Sequence, residues 1–452
     1  MIKSINNFNS DNRNFNQNSG VVFKGASNTK YLSKFIKSQE NLSTTRFIQG
    51  TLTNWFPKAV LSRSFVDFSE FTFLEFLESG IFYFAAPFLG EKLYRNGLFK
   101  KVQPKNIRNT ISANLSKGVD EIKQSNIDKN IQKHLITTKA GLLLGCLAVP
   151  AMEYGLGFAK NLFTLKVFNV SDFNNVANLD KNKKEDIEQQ KKVETHSKNV
   201  LIKTGILSGL GLASGLLLAA KGHNSNIAQK FSETLLEPGV QISRLLHKVG
   251  INSKNTDKFL KEYLKLDFDS HDGKLALSKG QLAVTCITGL FGYASAAKDR
   301  GKLDFYEVWT RVPLVVLYTI FGSSILDSGF KNYLAGKGSF PELIKKDSNG
   351  QIAPVPTSKD LPNIAEKLAD INKTSKSVEL DKLIKQKSII TGVPYLFSLV
   401  TMGFVLSGVS RLWTQYRYNH QKKSEEKSVN FEQNFASISP QFKGFKFNIS
   451  FW

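Results

Sequence analysis

Carboxylates inside apolar sequence are the residues of this chain whose chemistry stands out. Glu153 lies within the apolar run from Ala140 to Ala159, shortly after Pro150 and beside Tyr154. An ionisable group in such a run is expensive to place in lipid, and by default marks a cation site or a proton relay. The proline leaves a backbone carbonyl nearby without its helical donor. The plainer alternative sets Glu153 at a headgroup boundary, paired with Lys160. Arg311 and Asp327 bracket the uncharged run Val312 to Leu326. They could gate a pathway, or simply mark the two ends of a helix in interfacial water. Asp67, Glu70, Glu75 and Glu78 recur at helical spacing in a Phe-rich stretch. Paired carboxylates can hold a divalent metal, but a di-iron bundle adds Glu-x-x-His motifs, and no histidine lies near. Acidic residues favoured by the positive end of a helix dipole are the plainer reading.

Other chemistry finds little support. Asp267, Asp269, His271, Asp272 and Gly273 resemble part of a calcium loop, but the glycine falls seventh and the twelfth residue is Ser278, so the pattern fails. There is no phosphate-binding glycine loop, no His-Glu-x-x-His, no Gly-x-Ser-x-Gly and no Cys-x-x-Cys. The two cysteines, Cys146 and Cys286, sit in apolar runs and read as small hydrophobes. No cofactor or metal site is expected, and the balance leans away from an enzyme.

The elements that would position these groups are long apolar helices. Ser388 to Ser410 is 23 residues without a charge, roughly 34 Å of helix against a hydrocarbon core of about 30 Å. Arg411, Trp413, Tyr416, Arg417 and Tyr418 follow, an aromatic and basic set suited to interfacial anchoring. Shorter uncharged runs cover Thr204 to Ala220, Gly280 to Ala297 and Val312 to Leu326, and Ala140 to Ala159 is apolar apart from Glu153. A further run, Ser79 to Gly90, is too short to span alone and reads as interfacial or re-entrant. Runs 280–297 and 312–326 are expected to form an antiparallel hairpin. Gly141 with Gly145, and Gly205, Gly209, Gly211 and Gly215, form small-xxx-small pairs. In lipid such glycines let helix backbones approach closely, whereas in a water-soluble helix each costs about 1 kcal/mol against Ala. Lys139, Cys146 and Lys160 match Lys279, Cys286 and Arg300 in spacing, too few identities to read as a duplication.

The fold expected is all-α, a multi-pass helical membrane bundle of about five or six apolar helices with polar, partly disordered flanks and connections. Residues 1–45 read as a disordered polar tail, and 46–138 as the Phe-rich re-entrant helix followed by a basic helical region with periodicity at Ile111, Leu115, Val119 and Ile122. Residues 139–221 hold the first membrane helix pair with a polar insertion, and 222–279 a basic amphipathic connection. The hairpin occupies 280–330, a Pro-containing loop and Lys-rich helix 331–387, and the last membrane helix with its belt 388–418. A tail with a short terminal strand closes the chain at 419–452.

Net charge is +23 at pH 7, with a pI near 9.7 and a mean hydropathy of −0.21. That excess suits the anionic face of a membrane better than nucleic acid once apolar spans are present. Every polar connection is net positive, so charge asymmetry does not fix orientation. No apolar leader is expected in the Asn-rich opening residues, and Lys- and Asn-rich composition suits a bacterial inner-membrane protein. The first functional expectation is a non-catalytic scaffold or accessory component that binds anionic lipid and takes protein partners through its polar connections. A transporter or channel for a small solute or ion, built around Glu153, is the second. A peripheral α-helical protein binding anionic lipid or nucleic acid through a basic surface is the third.

Overall fold

The computed structural model describes residues 25–40, 44–180, 184–271, 274–347 and 350–438. They are almost entirely helical. The longer helices are α1 (Gly25–Glu40), α2 (Thr44–Val60), α3 (Phe65–Gly80), α4 (Lys129–Gly145), α5 (Ala148–Phe168), α6 (Ile187–Lys221), α7 (Asn226–Leu236), α8 (Pro238–Lys248) and α9 (Lys254–Tyr263). After a short antiparallel hairpin, β1 (Asp269–His271) with β2 (Lys274–Ala276), come α10 (Lys279–Lys298), α11 (Lys302–Leu317), α12 (Ser323–Gly336), α13 (Leu361–Asn372), α14 (Lys376–Ser398) and α15 (Leu406–Ile438). Wider turns with i→i+5 bonding cover Ile81–Leu98 and join α11 to α12 and α14 to α15. Such turns often sit at functional positions.

Among the described residues, four helical stretches are long and apolar enough to cross a membrane: Lys129–Phe168, Ile187–Asn224, Lys302–Gly336 and Lys376–Ser424. The run 280–297, expected as a fifth, forms the 20-residue α10 but is not among them. The first stretch is mostly enclosed by its neighbours, while the other three leave their apolar faces open. Ile202, Ile206, Leu210 and Leu217 of α6 are exposed, as are Leu396, Val400 and Val409 of the last stretch.

Local chemistry sets where the helices begin and break. Ser64 caps α3 by accepting from the Asp67 N–H at 2.9 Å, and Ser278 with Gln281 forms a reciprocal capping box at α10. The chain breaks at Cys146–Leu147, ahead of Pro150, whose missing N–H could not bond the Cys146 carbonyl. Gly301, at φ +127°, makes the turn from α10 into α11. That helix starts ten residues before the uncharged run, because Asp304, Glu307 and Arg311 all face protein. Lys373, in the left-handed region, ends α13.

Among the described residues two apolar cores are the largest. One packs Phe99, Ile111, Leu115 and Ile122 against Leu135 and Leu142 of α4, with Leu236 and Phe268. Beside it the Lys139 ammonium and the Asp267 carboxylate, both fully enclosed, meet at 2.7 Å. The other joins Ile36 of α1 to Leu334, Leu343, Leu361 and Leu383. Residues 25–40, expected within a disordered tail, are therefore a packed helix. The expected terminal strand, in 445–452, and residues 1–24 and 41–43 lie outside the described residues.

Candidate functional site

The third helix is inside out. Residues at helical spacing on its protein-facing side are Asp67, Glu70, Phe71, Leu74 and Glu75, all buried. Phe65, Phe76 and Leu77 point outward and are exposed. A helix of a water-soluble domain has the opposite polarity. Carboxylates turned inward and aromatics turned outward suit a helix whose outer solvent is lipid and whose inner neighbours are cations.

Those cations come from distant parts of the chain. Arg300 donates to both oxygens of Glu70 at 2.9 Å, Lys160 reaches Glu70 Oε1 at 3.0 Å, and the Thr164 hydroxyl donates to Oε2 at 2.8 Å. Arg300 also lies 3.4 Å from Asp304 and donates to Asn161 at 3.3 Å. Asp67 accepts from the Arg63 backbone at 2.9 Å and side chain at 3.3 Å, and Arg411 stands 3.6 Å away. Arg63 in turn grips Glu307 with two bonds, at 2.8 and 3.0 Å. Arg311 and Arg411 both lie over the Phe71 ring, 5.5 and 5.0 Å from its centroid. Burying charges is tolerable only when they are paired and hydrogen-bonded. Every carboxylate of this cluster has a cation within ion-pair distance, while Arg300 Nε and Nη2, Arg411 Nε and Nη1 and Asp304 Oδ2 have no hydrogen-bond partner among the described residues.

Below the cluster opens a cavity of about 670 Å³. Glu78, eight residues along α3 from Glu70, lies ~12 Å deeper at 1.5 Å per residue and lines it. So do Lys58 of α2, paired with Glu75, and Glu153 of α5, Tyr293 and Cys286 of α10, and Arg311 of α11. Val312, Val316, Leu282, Leu290 and Met402 supply apolar wall, and Tyr318, Tyr395 and Ser398 hydroxyls. Tyr318 bonds Ser398, and Tyr395 bonds Thr53, so side-chain bonds tie neighbouring helices together around the space. Glu153 is 2% exposed. Its Oε1 accepts from the Tyr293 hydroxyl at 3.3 Å, and its Oε2 has no hydrogen-bond partner. At the side bounded by the hairpin, Leu275 and Leu277 line the cavity, and the Leu275 N–H donates to Glu91.

The residues singled out in the sequence have different fates. Glu153 does not pair with Lys160, which belongs to Glu70; it faces the cavity instead. Arg311 shares that cavity and has no carboxylate at ion-pair distance among the described residues. Asp327 stands apart, half-buried and bonded to Lys331 on its own helix at 2.6 Å, so the two form no pair. Gly141, Gly145, Gly211 and Gly215 lie where α4 crosses α6: a methyl on Gly215 would strike the Gly141 carbonyl, and one on Gly211 would come within 2.6 Å of Leu144 O. Gly205 and Gly209 meet nothing and take no part in that crossing. A second crossing, Gly157 of α5 against Gly292 and Ala296 of α10, uses a further small-xxx-small pair that the sequence reading did not single out.

Among the expected anchors, Trp413 and Tyr416 stack on each other exposed, and Arg417 lies over Tyr306 and Trp413. Tyr418 packs toward Phe173 and Leu303. Arg411 is no interfacial anchor: it is buried in the charge cluster. Asp67, Glu70 and Glu75 are not merely helix-dipole partners, since each meets a cation from another segment or the preceding turn. What sequence reasoning missed was Lys58, Arg63, Arg300, Asp304 and Glu307. Their one signal was the count of charges flanking apolar runs. Among the described residues no group of three metal-ligating side chains converges. Comparison with protein-family models, with curated proteins and with solved structures finds no match for this chain.

Proposed function

We propose that this protein is a multi-pass membrane protein that takes a small solute into the charged cavity between its helices and moves it across the bilayer. The observation that carries this reading is Glu153: a carboxylate enclosed by protein, with one oxygen unmatched, facing a cavity large enough for a small organic molecule. Ionisable groups placed at such cost in an apolar bundle usually handle a solute or proton. The paired charges of Glu70, Arg300, Asp67 and Arg63 gather around the first turns of the same helix whose Glu75 and Glu78 line the cavity, and Leu275 of the hairpin and Leu277 just after it bound the cavity elsewhere. A scaffold role, the first expectation from composition, needs no such cavity.

The apolar outer faces of the long helices support placement in lipid, and the Lys-rich segment α7–α9 supports contact with an anionic headgroup layer. The test is solute uptake by proteoliposomes containing the full chain, screened with small cations, amines and amino acids. Uptake above empty liposomes is expected, with Glu153→Gln reducing it at least tenfold while the protein stays folded. Uptake that Glu153→Gln leaves untouched removes the cavity from the pathway.

A further inference from the structure

The ligand that suits this cavity is set by what its walls leave unmatched. Lys58 and Glu75 neutralise each other. Arg311 keeps its charge at any physiological pH, and two carboxylates, Glu78 and Glu153, remain against it. Glu153 Oε2 lacks a donor altogether, and a buried carboxylate oxygen in that state calls for a proton or a cationic N–H. A bare metal ion is a poor match, because calcium collects six to eight oxygens and among the described residues no three metal-ligating side chains converge. An amine needs one carboxylate for its N–H and apolar or aromatic surface for its carbon skeleton. Leu282, Leu290, Val316, Met402 and the Tyr293 ring provide that surface.

We propose that the cavity binds a singly charged organic ammonium ion with an apolar body, its N–H donating to Glu153 Oε2, and that the ammonium and a proton compete for this one carboxyl group. The inference rests on reading the cavity as a solute site. The exchange balances simply: protonated Glu153 plus R–NH3+ gives the carboxylate–ammonium pair plus one proton released to water. The groups facing Glu153 across the cavity are Lys58 of α2, Glu75 and Glu78 of α3, Cys286 and Tyr293 of α10, Arg311 of α11, Tyr318 just beyond it, and Tyr395 of α14. Of these, Glu78 is the second carboxylate able to share the ligand's charge, and the fixed charge of Arg311 limits the cavity to a single added cation.

The experiment is titration calorimetry on the full chain in detergent, with phenethylammonium chloride as the probe and sodium chloride and phenylalanine as controls. Runs in two buffers of different ionisation enthalpy count released protons. Saturable ammonium binding is expected at pH 8. Toward acid pH, affinity falls about tenfold per pH unit where Glu153 is protonated, and one proton leaves per ligand bound there. Glu153→Gln weakens binding about a hundredfold, from the loss of a charge-assisted bond, and Glu153→Asp retains part of it. Gly289→Ala, whose methyl would come 2.8 Å from Glu153 Cγ, weakens binding without changing charge. If the Gln variant fails to fold, the Asp and Gly289→Ala variants carry the comparison. Binding that is independent of pH, undiminished in a folded Glu153→Gln, or shown by sodium or phenylalanine but not by the amine overturns the inference. Glu153-dependent uptake of another solute without amine binding leaves the transport reading standing and removes this one; amine binding with proton release but no uptake does the reverse.

Discussion

Glu70 is the residue on which the charge cluster turns. It holds Arg300 and Lys160 together, and all three side chains are at most 10% exposed. Removing its charge leaves Lys160 enclosed without a carboxylate and Arg300 with Asp304 alone, a change that costs about 3–5 kcal/mol. Glu70→Gln should therefore lower the stability of the detergent-solubilised protein by that amount in denaturant unfolding. Asp327→Asn, which breaks a partly exposed i,i+4 pair with Lys331, should cost under about 1 kcal/mol. Equal costs for the two changes would remove the cluster as a structural centre. The spacing of Asp67, Glu70, Glu75 and Glu78 was legible as helical, but their partners were not. Arg300 is 230 positions from Glu70 and Glu307 is 244 from Arg63, and no local pattern encodes a contact of that range.

At the scale of elements, close helix crossings depend on which glycines face a neighbour. The small-xxx-small pattern of α6 offers four candidates, and packing uses two of them, Gly211 and Gly215. Gly215→Ala should disrupt the α4–α6 crossing, because its methyl meets backbone, which cannot swing aside as a side chain can. A loss of about 1–3 kcal/mol is expected for such overpacking. Gly205→Ala and Gly209→Ala, opening onto empty space, should be neutral or slightly stabilising through helix propensity. Measuring unfolding midpoints of the three variants side by side checks this, and a stable Gly215→Ala sinks it. The pattern itself was visible in sequence. The facing side was not, since residues four apart share a face and residues 205, 209, 211 and 215 fall on two different sides. The start of α11 was hidden for a related reason: a run bounded by its first charge ends too early when the charges point inward.

For the molecule as a whole, the outward apolar faces of three long helical stretches and the inward charges of α3 are the features on which the proposed membrane placement rests. After alkaline carbonate washing, the full chain expressed in cells should remain with the membrane pellet. Its release into the supernatant as a folded, monodisperse species would contradict both the membrane placement and the transport proposal. The same arrangement explains the modest mean hydropathy of −0.21: helices that carry their charges inside, together with polar satellite segments such as α7–α9 and α13, dilute the apolar average.

Composition and periodicity by themselves determined that the chain is helical, that several helices are apolar enough to cross a membrane, and that Glu153 lies where a carboxylate is costly. These are properties of consecutive residues, fixed by backbone hydrogen bonding and by side-chain transfer free energies. Only tertiary structure decided which charges meet. It gave Lys160 to Glu70, left Asp327 to Lys331 on its own helix, drew Arg411 out of its belt, and placed Glu78, Glu153 and Arg311 around one cavity. Ion pairs between residues hundreds of positions apart form because chain closure brings them together in a medium that leaves them no water to turn to.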